Sequence, residues 1–232
     1  MHPLSIVIPV YNEKATIAKT ITAIEQFVKT PHQILVVYDF DEDNTLPVLK
    51  NFDITPVKNF YGKGVLGAIR TGIESAQSEF ILVTMADSSD NPADIDLMIQ
   101  KAEQESSDIV CASRYMKGGR QIGGGFKSLL SCVAGLSLCW LARLPTHDAT
   151  NSFKLYRRSF LENQVIESPA GFSFGLELVA KAYLQGRKIN EVPTVWQGRE
   201  FGTSRFRLWA WLPYYLKWYF YAWKGLFKCK KH

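Results

Sequence analysis

The sequence predicts an α/β fold built on a mostly parallel sheet, and three features carry that reading. Short apolar runs rich in Val, Ile and Leu alternate with segments of helical length, which is the pattern of βαβ units. Two of these runs end directly in acidic loops, as strands do at the ligand-bearing edge of an open sheet. The composition, 47% hydrophobic and 21% charged over 232 residues, supplies a core for one such domain and excludes disorder and low-complexity arrays.

Leu4 to Val10 (LSIVIPV) reads as a buried strand, its apolar run broken only by Ser5. A helix opens near Asn12 and Glu13 and runs to about Val28. Gln33 to Tyr38 (QILVVY) is a second buried strand, closed by the acidic loop Asp39 to Thr45 (DFDEDNT). Ile54 to Lys58 makes a weaker third strand, and a helix spans Gly62 to Ala76. Strand Phe80 to Thr84 leads into the second acidic loop, Asp87 to Asp90. Pro92 suits the first turn of a helix reaching about Glu105, and Asp108 to Ala112 is the next strand. A glycine-rich loop (Gly118, Gly119, Gly123, Gly124, Gly125) enters an apolar helix over Lys127 to Leu141. A strand over Phe153 to Tyr156, a helix over Phe174 to Gln185 and a strand over Lys188 to Trp196 follow, with no internal repeat.

Cys111, Cys132, Cys139 and Cys229 form no C-x-x-C pair and the four histidines no H-E-x-x-H, so zinc and a disulfide framework are not expected and a reducing cytosol is. The first apolar run is too short for a signal-peptide core. The net charge of +5 is uneven: residues 199–232 carry eight Lys/Arg against Glu200, and the rest of the chain 19 against 21 acids. Eleven of the 30 aromatic residues fall between Phe206 and Phe227.

Drawn as a helix, that tail places Arg207, Lys217, Lys224, Lys228 and Lys231 on one arc with Tyr214 and Tyr221. Leu208, Trp211, Leu212, Tyr215, Trp218, Tyr219 and Trp223 fill most of the rest. Pro213 and the internal lysines disfavour a spanning helix, whereas the Trp and Tyr content suits the headgroup zone of a membrane. The competing placement is against the protein's own core or in a homo-oligomer.

Carboxylates clustered at a sheet's ligand edge either bond ribose and base groups or hold a hard divalent cation against phosphate. One such loop is ordinary turn chemistry; two in register on successive strands point to a site. At these residues the chain resembles family-2 nucleotide-sugar glycosyltransferases, in particular the polyprenol-phosphate mannose and glucose synthases. The resemblance rests on Ile8 to Glu13, Val36 to Thr45, Gly62 to Gly64, Met85 to Asp87, Ser113 to Tyr115 with Gly118 and Gly119, Asp148 to Phe153, Glu191 to Pro193, and Arg199 to Arg205. These motifs lie in family order and cover about residues 4–206.

The resemblance implies a GT-A-type nucleotide-sugar fold with residues 1–206 as the catalytic domain; residues 207–232 form the tail whose pattern points to a membrane interface. It implies Pro9, Tyr11, Glu13 and Asp39 around the nucleoside, and Lys63, Arg199 and Asp87 toward the diphosphate. Arg114, Lys127, Ser131 and Arg205 would receive the phosphate of a polyprenyl-phosphate acceptor, with Asp148 beside them. A divalent cation (Mg²⁺ or Mn²⁺) would be met by Asp87, with Asp90 or Ser89 as the source of a substitute oxygen. Two positions depart from the family pattern: Tyr38 replaces the first of an acidic pair, and Met85 the first acid of Asp-x-Asp. The implied reaction is an inverting hexosyl transfer, run by a cytoplasmic enzyme held at the inner face of a membrane.

Other readings are weighed by residue pattern. Gly62, Gly64 and Gly67 satisfy G-x-G-x-x-G with Asp87 twenty residues on, but they follow the weak third strand rather than the first, which argues for a tight loop–helix entry over a dinucleotide site. No P-loop is present. The slightly acidic body argues against nucleic acid as partner. A soluble sugar acceptor on the same fold, and a nucleotide-binding fold without activity, stay open.

Overall fold

The computed structural model describes residues 2–169, 171–198 and 208–228. A seven-stranded sheet is formed by β1 (Leu4–Pro9), β2 (His32–Tyr38), β3 (Thr55–Lys58), β4 (Phe80–Val83), β5 (Ile109–Ser113), β7 (Lys154–Arg157) and β8 (Ile189–Pro193), in the order β3-β2-β1-β4-β7-β5-β8. All neighbours are parallel except β7, which runs antiparallel to both β4 and β5. A two-stranded parallel sheet pairs β6 (Arg120–Ile122) with β9 (Val195–Gln197). The helices are α1 (Ile17–Phe27), α2 (Leu46–Leu49), α3 (Val65–Ser75), α4 (Ile95–Gln104), α5 (Gly125–Trp140), α6 (Arg158–Leu161), α7 (Ser173–Leu184), α8 (Leu208–Trp223) and α9 (Gly225–Lys228).

The apolar strands are buried on both faces, as their patterning requires. Leu4, Ile6 and Ile8 of β1 pack into a cluster with Ile17, Ile21 and Ile24 of α1 and with Met98 and Ile99 of α4. Val7 points the other way, to Leu35, Val37, Val83 and Cys111 beneath α3 and α7. Strand order reverses at β1, with β2 on one side and β4 on the other. Ligands of open α/β sheets bind beyond the strand C-termini at such a switch point, and the two acidic loops lie there.

Departures from the sequence reading have local causes. Helix α1 starts at Ile17, not near Asn12, because Asn12 adopts φ 56° and the N–H groups of residues 12 to 14 are engaged by Asp43, Thr45 and Asn44. The single strand expected over Lys188 to Trp196 divides at Thr194. That residue's hydroxyl donates to Asp94 (2.7 Å) and its N–H to Ser113 (3.0 Å), which turns the chain out of the main sheet. β6 arises inside the glycine-rich loop, where no strand pattern is legible. Pro92 begins a 3-10 turn to Asp94 that runs into α4, capped by the Asn91 side chain.

The aromatic tail helix lies on the body. The α8 residue Trp218 is 1% exposed, and its indole N–H donates to Ser168 (2.9 Å). Lys181 and Lys217 approach its ring to 5.0 and 4.5 Å. Lys181 is itself held by the buried Glu177 and by Glu167, each at 2.8 Å. The outer side of α8 carries Lys217 and Lys224 beside exposed Trp209, Leu216 and Phe220. Removing a fully buried indole costs about 3–5 kcal/mol. Trp218→Ala is therefore expected to lower the unfolding free energy obtained from urea titration by that amount, with the midpoint shifting accordingly.

Candidate active site

Two carboxylates of the first acidic loop brace the turns around it. Asp43, 1% exposed, accepts the N–H of Asn12 with both oxygens (3.1 and 3.0 Å) and that of Thr45 (2.8 Å), so it clamps the turn after β1. That clamp presents Tyr11, 45% exposed and edge-on to Phe40 at 5.3 Å, above Pro9 at the end of β1. Thr45 receives the N–H of Glu13 at 2.9 Å, which holds that residue at the same rim. Asp39 accepts from the Asn59 amide (2.7 Å) and from the N–H of Gly64 (2.8 Å), and so fixes the loop carrying Lys63.

The glycine motif there is geometric. Gly62 and Gly64 take φ of 99° and 115°, and a Cβ on Gly67 would lie 2.0 Å from the Gly62 carbonyl oxygen. It is a compact loop–helix entry, as its place after the weak third strand suggests.

After β4 the chain turns through Ser88 at φ 57°. Asp87, 8% exposed, accepts the N–H of Ser89 (3.1 Å). Asp90 turns inward, to the Thr84 hydroxyl (2.8 Å) and the Met85 N–H (3.4 Å). Burial, and then the charge of Asp87, push the Asp90 carboxyl up to about 7.

Of the residues in this turn, two offer little to the divalent ion that the resemblance implies: the Met85 thioether is a poor partner for a hard cation, and the Asp90 oxygen is turned to donors in its own loop. Asp87 supplies a carboxylate, and the buried Ser89 hydroxyl, which has no hydrogen-bond partner among the described residues, is a second oxygen for such an ion. Among the described residues, no group of three or more His, Cys, Asp or Glu is placed to hold a metal.

Beyond β5, three residues chosen from sequence meet in one network. Arg114 donates to Asp148 through Nε (2.6 Å) and Nη2 (2.9 Å), and its N–H adds a third bond at 3.1 Å. The same guanidinium donates to Ser131 on α5 (3.0 Å), whose hydroxyl meets that of Thr150 at 2.6 Å. The side chains of the pair are 9% and 0% exposed. Burial alone would raise the Asp148 carboxyl, but the Arg114 charge and hydrogen bonds outweigh it and hold it below the usual carboxylate range. Tyr115 and Trp196 flank the guanidinium at 4.9 and 6.0 Å. Lys127 is exposed on the first turn of α5, one turn before Ser131. Arg199 and Arg205 lie outside the described residues.

Sequence reasoning passed over Asn59, which holds Asp39, and Lys154, a fully buried ammonium on β7 that donates to the Asn151 carbonyl. Burial lowers the Lys154 pKa, while Cys111 and Asp148 favour its charged form. A lysine inside a short apolar strand was the available signal. Also unanticipated is the His147–Glu191 contact at 2.5 Å, immediately before Asp148.

Two expectations follow. Asp148 has a depressed native pKa, so its contribution is full above the unfolded value near pH ~3.9 and is lost as pH falls through the lower native value. Asp148→Asn should cost about 3–5 kcal/mol at pH 7 by stranding Arg114, and the gap to wild type in denaturant titrations should narrow below pH ~4. Met85→Asp should increase the enhancement of donor affinity by Mn²⁺, read by calorimetric titration with and without chelator.

The comparisons place the chain. The family model "Glycosyl transferase family 2" matches residues 5–164. Polyprenol monophosphomannose synthase of Mycolicibacterium smegmatis is 29% identical over 215 residues, covering 86% of this chain and 79% of that protein. Dolichol-phosphate mannosyltransferase of Pyrococcus furiosus is 26% identical over 213 residues, covering 88% of this chain and 59% of that protein. Among solved structures, glucosyl-3-phosphoglycerate synthase of Mycobacterium tuberculosis, in complex with Mn²⁺, UDP and glucosyl-3-phosphoglycerate, superposes with TM-score 0.71. It shares 13% identity, over 97% of this chain and 80% of that one. The same enzyme with UDP-glucose and phosphoglyceric acid gives 0.73 at 14% identity, over 94% and 80%. The GT-A-type architecture agrees with these neighbours, and with a family model matching well over half its length the chain belongs to glycosyl transferase family 2 and is a glycosyltransferase.

Proposed function

We propose that the chain moves a hexose, mannose or glucose, from a nucleotide-diphosphate sugar to a polyprenyl phosphate at a membrane surface, inverting the anomeric carbon. The observation that carries this reading is the pairing of Asp148 with Arg114 against Ser131, one turn of α5 after Lys127. A hydroxyl acceptor calls for a general base of suitable pKa, and the buried, Arg-bound Asp148 is a weak one. A phosphate monoester loses its second proton near pH ~6 and arrives as an anion, so it needs cations instead of a base. The names of the two sequence relatives support the same acceptor class.

In this reading Pro9, Tyr11, Glu13 and Asp39 receive the nucleoside, and Lys63 and Arg199 face the diphosphate with Asp87. Arg114, Lys127, Ser131 and Arg205 take the acceptor phosphate, while Asp148 orients Arg114. An oxygen of that phosphate attacks the anomeric carbon. The bond from that carbon to the donor diphosphate breaks, and the nucleoside diphosphate leaves with the electron pair. No proton is removed in the step. Oriented binding and fixed positive charge supply the acceleration. A divalent ion, when bound, would offset diphosphate charge beside Asp87; no step is routed through it.

Residues 207–232 bring the body to the cytoplasmic face of a membrane. Among the described residues no helix is long and apolar enough to cross one. Purified chain is expected to label a polyprenyl phosphate from UDP- or GDP-hexose. Lys127→Ala should raise the acceptor KM by about tenfold, one charge-assisted contact, without changing donor Kd. Labelling of soluble acceptors alone would overturn the lipid assignment.

A further inference from the structure

Lys154 is a buried charge without a counter-ion in contact. It is 0% exposed, and among the described residues no carboxylate lies within ion-pair distance of its ammonium. Other buried charges are met directly, Asp148 by Arg114 at 2.6 Å and Glu177 by Lys181 at 2.8 Å. Lys154 instead donates one hydrogen bond, to the Asn151 carbonyl. An ammonium taken out of water on those terms is costly, and a methionine of similar length would fill the same space without that cost.

Its position puts it at the transfer site. β7 runs antiparallel between β4 and β5, and Lys154 is level with Val83 and Cys111. It stands between the strand ends that lead to the Asp87 turn and to Arg114. Asn151 connects it to the second of these: the Asn151 N–H donates to Asp148 (3.2 Å) and its side-chain amide to the Ala112 carbonyl (2.9 Å). One residue thus takes the ammonium on its carbonyl and the carboxylate on its N–H.

Charge gives that placement a use. Arg114 commits Nε and Nη2 to Asp148 and Ser131, while its Nη1 makes no hydrogen bond among the described residues and is left for a ligand. A carboxylate in contact with a guanidinium cancels much of its pull on an arriving anion. Against the burial that disfavours it, the Asp148 carboxylate is supported by Arg114 and then by Lys154. Burial likewise opposes the Lys154 ammonium, and Cys111, Asp148 and, from the donor turn, Asp90 favour it. Arg114, Asp148 and Lys154 together carry one positive charge, where the ion pair alone carries none.

We propose that Lys154 is a positioning residue of the transfer site: from the β7 side of the Asp148–Asn151 turn it shares the Asp148 carboxylate with Arg114, and so leaves the guanidinium its attraction for an acceptor phosphate. The role depends on the acceptor being a phosphate, as proposed above.

Three variants test it. Lys154→Met removes the charge, Lys154→Gln removes it but keeps a donor for the Asn151 carbonyl, and Lys154→Arg keeps both. The full chain and each variant are titrated calorimetrically with a short, water-soluble prenyl phosphate in the presence of UDP or GDP, and with each nucleotide alone. Lys154→Met and Lys154→Gln should each weaken the prenyl phosphate about tenfold, the effect of one charge at a focused site. Nucleotide affinity should stay as in wild type, and Lys154→Arg should recover prenyl-phosphate binding. The thermal midpoint of Lys154→Met should equal or exceed that of wild type, because a solitary buried charge is relieved; a residue kept for stability would show the reverse. Should Lys154→Met fail to fold, Lys154→Gln against Lys154→Arg reads the same charge.

Retained prenyl-phosphate affinity without the charge overturns the proposal. So does a loss in Lys154→Met that Lys154→Gln does not share, which would give the residue to the turn's hydrogen bond alone, and so do equal losses of prenyl phosphate and nucleotide. Wild type that binds nucleotide but no prenyl phosphate sinks the acceptor reading and this role with it. Wild type and Lys154→Met binding prenyl phosphate equally sink this role and leave the acceptor reading standing.

Discussion

The buried pair of Arg114 and Asp148 is the tie that the functional edge of the molecule depends on. It joins the end of β5 to the segment entering β7, and through Ser131 it reaches α5. Both charges have left water, so each is tolerable only in the presence of the other. The surrounding bonds follow from that need: Thr150 and Asn151 donate to the same carboxylate, and Tyr115 and Trp196 cover the guanidinium. A cation is thereby fixed in place before any ligand arrives, and its neighbouring hydroxyl and lysine come from a helix that the same tie orients.

Much of the architecture was legible because the central strands β1, β2 and β4 are rich in Val, Ile and Leu and two of them lead into the acidic loops. What the pattern did not carry was pairing partner and direction. Nothing in Phe153 to Tyr156 says that β7 inserts antiparallel between two parallel strands, and nothing around Thr194 says that one apolar stretch serves two sheets. Such choices are made by long-range contacts, here the Thr194–Asp94 bond between residues a hundred apart.

The site was legible by residue type but not by role. Motif reading selected Arg114, Ser131 and Asp148, and these do converge. It could not separate Asp43, which braces a turn, from Asp39, which holds a loop, because both are aspartates of one acidic run. It placed Asp90 beside Asp87 as a metal ligand, whereas the turn at Ser88 sends the Asp90 carboxyl back to Thr84. Side-chain direction in a tight loop depends on single backbone torsions, which sequence spacing does not encode.

The latch between Asp39, Asn59 and Gly64 has a thermodynamic consequence. The loop bearing Lys63 and the turn bearing Tyr11 are each tied down by hydrogen bonds of their own. Little chain freedom is left for an incoming ligand to remove, so the entropic toll of association falls mainly on the ligand and on water released from the cleft. For the donor site proposed there, binding and release of a nucleotide would then require no segment of chain to fold or unfold.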